Sequence, residues 1–143
     1  HVVYRGSSLV LEDLLAGHIP STMDNLPPCL PHIQSGALRA LGVSSGKRWF
    51  SLPDVPTIAE QGFAGFDAAP WWYVSAPAGT PAEVVKKLSD ELVKASKSPD
   101  IIKKIRDAGA AELGGSSEDL ANHMKAEYAK RKKVVDAAKL EPQ

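Results

Sequence analysis

Pro28-Cys29-Leu30-Pro31-His32-Ile33-Gln34-Ser35-Gly36-Ala37-Leu38-Arg39-Ala40-Leu41-Gly42-Val43 is the stretch that decides the fold. The prolines at its start suit the first turn of a short helix, where the backbone N–H has no intrahelical partner, and Gly36 is a natural stop. Leu38 to Val43 then reads as a buried strand. A helix followed directly by a strand, with the same alternation on either side, predicts parallel pairing and an α/β architecture.

Upstream, Gly6-Ser7-Ser8 precedes the apolar run Leu9 to Leu15 and Gly17 follows it, the pattern of a helix with a hydroxyl N-cap and a glycine just past its end. Ile19 to Met23 reads as a strand that begins late or lies where an N–H at Pro20 would be unpaired anyway, because Pro20 has no N–H to give to a ladder. Downstream, Thr57-Ile58-Ala59-Glu60 fits a capping box and predicts a short helix closed by Gly62. Asp67 to Ala76 is an extended run, long enough to cross between two structural units, with Trp71 and Tyr73 on one face and Trp72 and Val74 on the other. Thr80-Pro81-Ala82-Glu83 is a second capping box, followed by Val85, Leu88 and Leu92 at helical spacing. Ser98-Pro99 opens a further helix that ends near Gly109, and Ser116 or Ser117 caps the last one. The order is mixed α/β, then mainly α, and the texture changes near residue 70.

Composition narrows the function classes. The 143 residues carry 17 basic and 17 acidic side chains, so no net field draws the chain to nucleic acid or anionic lipid. No stretch approaches the roughly 18 uninterrupted apolar residues of a membrane helix. The single cysteine, Cys29, rules out an intramolecular disulfide. His1, His18, His32 and His123 have no metal-ligand spacing, so neither a metal nor another cofactor is expected. Ser7 or Ser8 with Asp24 and His32 can be drawn as a hydrolase triad, but Gly-x-Ser-x-Gly is missing, and no enzyme is expected.

Three places carry binding chemistry. Tyr4-Arg5-Gly6-Ser7-Ser8 sets a glycine and small hydroxyls before a helix, where free backbone N–H groups meet an anion such as a carboxylate, or where these residues do no more than cap the helix. Arg5 adds a countercharge. Asp24-Asn25 follows a predicted strand end, the edge where ligands bind in open α/β sheets, and equally suits an Asx turn. Trp71 and Trp72 either line a cleft or belong to the core.

Five segments in register carry a resemblance. His1-Val2-Val3-Tyr4-Arg5-Gly6-Ser7-Ser8, Asp24-Asn25-Leu26-Pro27, Gly36-Ala37-Leu38-Arg39-Ala40-Leu41-Gly42-Val43, Leu52-Pro53-Asp54-Val55-Pro56-Thr57-Ile58-Ala59-Glu60 and Ala76-Pro77-Ala78-Gly79-Thr80-Pro81 follow one another. In that order they resemble the Bug family, the TctC-like solute-binding receptors of tripartite tricarboxylate transporters. The family usually has Pro at the place of Val3 and a Val-Asp-Val-Met-Phe-Asp strand at the place of Ile19 to Asp24.

The resemblance implies a periplasmic-binding-protein fold of type II, two α/β lobes closing like a flytrap on a small carboxylated solute. It implies that this chain is a C-terminal portion. Residues 1–68 would be most of the second lobe, and 69–143 the strand returning through the hinge plus C-terminal helices belonging to the first lobe. It places Tyr4, Arg5, Gly6, Ser7, Ser8, Asp24 and Asn25 on the cleft and Trp71 and Trp72 on its hinge-side wall. The implied partners are the solute and the membrane subunits of a transporter, and the implied compartment is the periplasm. Apolar surface left uncovered on the C-terminal helices predicts self-association. Two other readings use the same residues: a ligand-sensing domain of this fold in a regulator, and a small α/β hydrolase built on Ser7 or Ser8 with His32.

Overall fold

Apolar residues at Leu9, Val10, Leu11 and Leu14 give the segment after Gly6 one greasy face, and in the computed structural model, which describes residues 2–139, it forms α1 (Ser7–Leu15). His1, which opens the first motif, lies outside the described residues. Gly6 holds the N-cap with φ 136° and ψ 168°, a backbone region that only glycine enters without strain, and no side chain caps the helix. The hydroxyl cap expected of Ser7 or Ser8 is therefore not made.

Leu26–Gln34 forms α2, with Pro in its first turn as expected; Pro31 cannot donate to the carbonyl one turn back, yet the helix runs on to Gln34 before Gly36 follows at φ 77°. The remaining helices are α3 (Ala82–Ser96), α4 (Pro99–Asp107) and α5 (Ser117–Ala138). Ser116 caps α5 with a complete capping box: its hydroxyl accepts from Asp119 N–H at 3.1 Å, and its own N–H reaches Asp119 Oδ2 at 2.8 Å.

Two capping-box expectations are corrected. Thr57 and Glu60 do make both reciprocal bonds, at 2.7 and 3.0 Å, yet the segment is a tight turn rather than a helix. Glu60 is also drawn outward to Arg48 at 3.0 Å, and Gly62 follows at φ 107°, so the turn closes before a second helical turn forms. At the other box Thr80 Oγ1 donates to the Pro77 carbonyl at 2.8 Å, leaving Pro81 at the N-cap of α3 with no side-chain bond. Glu83 still lies in the first turn, where its charge suits the helix dipole.

The predicted strands are corrected as well. Among the described residues, Ile19–Met23 and Leu38–Val43 form no ladder; the one β contact is a parallel bridge between Val43 and Thr57. Val43 N–H reaches the Pro56 carbonyl and Ile58 N–H reaches the Val43 carbonyl, both at 3.0 Å. A strand exists through pairing, and a parallel neighbour must be brought alongside by a crossover connection; the extended segments here have no second partner at hand.

The chain divides into two units. One comprises residues 1–72 and 104–111, the other 73–103 and 112–143, so the boundary falls inside the extended run at Trp72–Tyr73 and again within α4. The first unit holds the buried side chains Leu11, Leu30 and Thr57. It is closed by long-range polar ties: Trp49 Nε1 donates to the Gly109 carbonyl at 2.7 Å, Ala68 N–H to the Ser44 carbonyl at 2.8 Å, and Gly46 N–H to Asp67 at 3.1 Å. Leu30 packs where a side chain on Gly109 would sit, 2.8 Å from an ideal Cβ. In the second unit, α5 joins α3 through Ser117 and Ser89 hydroxyls 3.2 Å apart, and neither helix buries a side chain.

Candidate functional site

The turn before α1 brings Ser7 against Asp24 across 17 residues of sequence. Ser7 Oγ donates to Asp24 Oδ1 at 2.7 Å, and Asn25 N–H donates to the same oxygen at 2.7 Å. That backbone bond lies one residue earlier than an Asx turn would place it. The other carboxylate oxygen, Oδ2, is buried and has no hydrogen-bond partner among the described residues. An unpaired carboxylate oxygen out of water is unfavourable, so Asp24 is a group that welcomes a further donor.

Tyr4 reaches along α1. Its hydroxyl donates to Asp13 Oδ2 at 2.7 Å, while His18 Nδ1 lies 3.1 Å from Asp13 Oδ1. The bond to Asp13 is the main reason the Tyr4 phenol is raised from its ordinary value, and in return the Tyr4 hydroxyl, then His18, hold the Asp13 carboxyl low.

These bonds leave a turn whose side-chain hydroxyls at Tyr4 and Ser7 are already committed and whose backbone donors are not capped. The first N–H groups of a helix have no intrahelical partner, and α1 has neither a side-chain cap nor an acid in its first turn. Arg5 and Ser8 are exposed beside them. Ser7, having given its proton to Asp24, can offer a ligand only its lone pairs and its N–H. A carboxylate brought to this turn would therefore meet backbone amides and the Arg5 guanidinium, with Asp24 repelling it from the Ser7 side.

The predicted site residues separate into groups. Tyr4, Arg5, Gly6, Ser7, Ser8, Asp24 and Asn25 are assembled by the α1 entry and the loop before α2. Trp71 is half-buried, whereas Trp72, at 64% exposure, Tyr73 and Val74 are all exposed, so the expected alternation of faces is not seen beyond Trp72. The hydrolase geometry is not formed: Ser7 donates straight to Asp24, with no imidazole between them. Cys29 is half-buried, and burial, followed by the charge of Asp24, pushes its thiol up, away from the reactive thiolate. No group of three metal-ligating side chains occurs among the described residues.

Sequence reasoning passed over Asp13 and His18. Nothing in their spacing marks them, since Tyr4 reaches Asp13 through the fold of the Gly6 turn and not through helical periodicity. The second unit also holds a shallow cleft of about 380 Å³, lined by Ser89, Val93, Lys97, Gly114, Ser116 and Asp119 among others. It shares no residue with the predicted site, and its acidic groups are engaged in capping α5 or pairing on α3.

Known proteins share this architecture. Residues 1–140 match the model of the tripartite tricarboxylate transporter family receptor, TctC. A UPF0065 protein from the tcbD-tcbE intergenic region of Pseudomonas sp. strain P51 is 40% identical over 136 residues, which is 94% of this chain and 40% of that protein. Two solved structures share the fold across 99% of this chain and 48% of theirs. R. palustris Rpa4515 with adipate superposes with a TM-score of 0.91 at 40% identity, and the periplasmic binding protein BugD with 0.89 at 31%. The chain thus spans about half the length of the solved proteins it matches, and less of the curated relative.

Proposed function

The chain belongs to the tripartite tricarboxylate transporter receptor family, TctC, and from that membership we propose that it forms part of a periplasmic, non-enzymatic receptor for a small dicarboxylate. The observation that carries the reading is the match to Rpa4515, solved with adipate, at a TM-score of 0.91 and 40% identity. On this reading residues 1–68 are most of one α/β lobe, and residues 69–143 supply the hinge-return strand and helices that belong to the other. Lobe closure on the solute then signals to membrane transporter subunits.

The uncapped turn at residues 4–8 supports a place for one ligand carboxylate. Backbone N–H groups at the start of α1, with Arg5 as countercharge, are the donors, and Trp72 supplies an apolar wall for a methylene chain. Asp24 acts differently, because its unpaired oxygen favours a hydroxyl or another proton donor and disfavours a second anion at Ser7. Exposed side chains on α3 and α5, including Leu88, Leu92, Met124 and Tyr128, support packing against further protein, by self-association or by a complementary portion of the receptor.

The test is calorimetric titration with adipate and shorter dicarboxylates, on this chain alone and on this chain joined to the complementary half of Rpa4515. Saturable binding by the joined protein, weakened by Arg5→Ala, is the expected result. A folded joined protein that takes up no dicarboxylate would overturn the receptor reading.

A further inference from the structure

We infer that Asp13 is a positioning residue for the 4–8 turn, strapping Tyr4 to the middle of α1 so that Gly6 keeps the backbone conformation that leaves the helix N-terminus open. This role deepens the receptor reading and rests on that turn facing the ligand.

Gly6 sits at φ 136° with nothing within 4 Å of the place a Cβ would occupy. No packing contact at that position holds the turn, and glycine is the residue with most conformational freedom to lose. A restraint must come from its neighbours. On one side Ser7 is tied to Asp24 at 2.7 Å; on the other the Tyr4 hydroxyl is tied to Asp13 at 2.7 Å. The two bonds flank Gly6 and fix the chain on both sides of it.

Both are hydroxyl bonds to a carboxylate, but the Tyr4 strap closes only nine residues of chain against seventeen for Ser7 and ties the turn to the helix that follows it. Asp13 is itself steadied by His18, whose Nδ1 approaches the oxygen that Tyr4 does not use. The first backbone bonds after α1 add to this: His18 N–H donates to the Asp13 carbonyl at 2.8 Å, so the residue that holds Tyr4 also anchors the helix end. The Tyr4 hydroxyl is thereby an anchor, not a ligand contact.

A double-mutant cycle tests it. Backbone order parameters at Gly6 and Ser7 are measured by NMR for the 143-residue chain and for Tyr4→Phe, Asp13→Ala and the double variant. The wild type should show values near the rigid-backbone level of about 0.85, and each single variant should fall toward or below about 0.6. The double variant should be no looser than Asp13→Ala alone; equal rigidity in all four, or additive loosening, overturns the strap.

A second readout separates positioning from general support. Asp13→Asn retains an acceptor for Tyr4 and should preserve the order parameters at Gly6 and Ser7. Loosening in Asp13→Asn as large as in Asp13→Ala also overturns the proposal. In the joined protein, Tyr4→Phe and Asp13→Ala should each weaken adipate about fivefold, roughly the net contribution of one hydrogen bond. If the joined protein binds no adipate while the coupling persists, the receptor reading fails and the strap stands.

Discussion

The two units of the chain are held together by opposite means. In residues 1–72 with 104–111, the ties span long stretches of sequence: Trp49 to Gly109, Gly46 to Asp67, Ser7 to Asp24. In residues 73–103 with 112–143 they are mostly local, ion pairs one helical turn apart such as Lys86–Asp90, Lys132–Asp136 and Arg131–Glu127. The first unit has buried side chains; α3 and α5 of the second have none. Exposed pairs of this kind contribute little each, so the second unit depends on helix propensity, capping and whatever covers its apolar faces. A unit can thus be recognisably helical in sequence and still lack a core of its own.

All three tryptophans, Trp49, Trp71 and Trp72, lie in the first unit, which makes their emission a reporter for it alone, while helical circular dichroism weights α3 and α5. The largest expected effect comes from Leu30→Ala. Leu30 is 4% exposed, and its removal should cost about 3 kcal/mol by lost transfer and cavity formation. Urea melts should show the tryptophan transition moving while the helical signal of the second unit shifts far less. A common shift in both signals would mean the units unfold as one and would break the contrast.

Gly6→Ala comes next. A Cβ meets no atom there, so the penalty is backbone strain alone, about 1–3 kcal/mol, and should appear in the tryptophan melt. Ser116→Ala should lower helical signal instead, by about 1 kcal/mol of α5 stability, with tryptophan emission unchanged.

Acid titration gives the smallest effect. Glu60 is held low chiefly by the Thr57 N–H and then by Arg48, and Asp119 by the Ser116 hydroxyl and N–H. A carboxyl whose value is lowered on folding lends stability above its unfolded value and loses it as pH falls through the lowered one. Loosening should therefore begin below the ordinary 4.5 in both units, at Glu60 in the first and in the second at Glu127, whose desolvation is outweighed by Lys130 and then Arg131, which hold it low, with Asp119 following below its ordinary 3.8. Tryptophan emission and helical signal are both expected to respond on acidification through that range. A tryptophan signal that stays flat there would show the Thr57–Glu60 turn to be peripheral to the first unit's stability.

Helix positions were largely legible because they depend on neighbours in sequence. Ser116-Ser117-Glu118-Asp119 announces α5, and Gly17 and Gly36 end α1 and α2 one residue past the C-cap. Capping boxes were legible only as hydrogen-bond patterns: Thr57 and Glu60 make both bonds on a turn, and Thr80 makes a different bond altogether. Tyr4 to Ser8 and Asp24-Asn25 stand out in the sequence by residue type, as the proposed site does in the fold by bringing Ser7 to Asp24. Its wiring was not legible.

Residue type and order along the chain were enough for the helix-forming segments, the absence of a net charge and the family, because each of these is a local or additive property. The folded chain alone decided that Ser7 serves Asp24 instead of capping α1, that Tyr4 is bound to Asp13, and that Leu38–Val43 pairs with Thr57 through a single bridge. Those outcomes depend on which distant groups the fold brings within about 3 Å, where a hydrogen bond forms or fails, and short-range pattern holds no record of that distance.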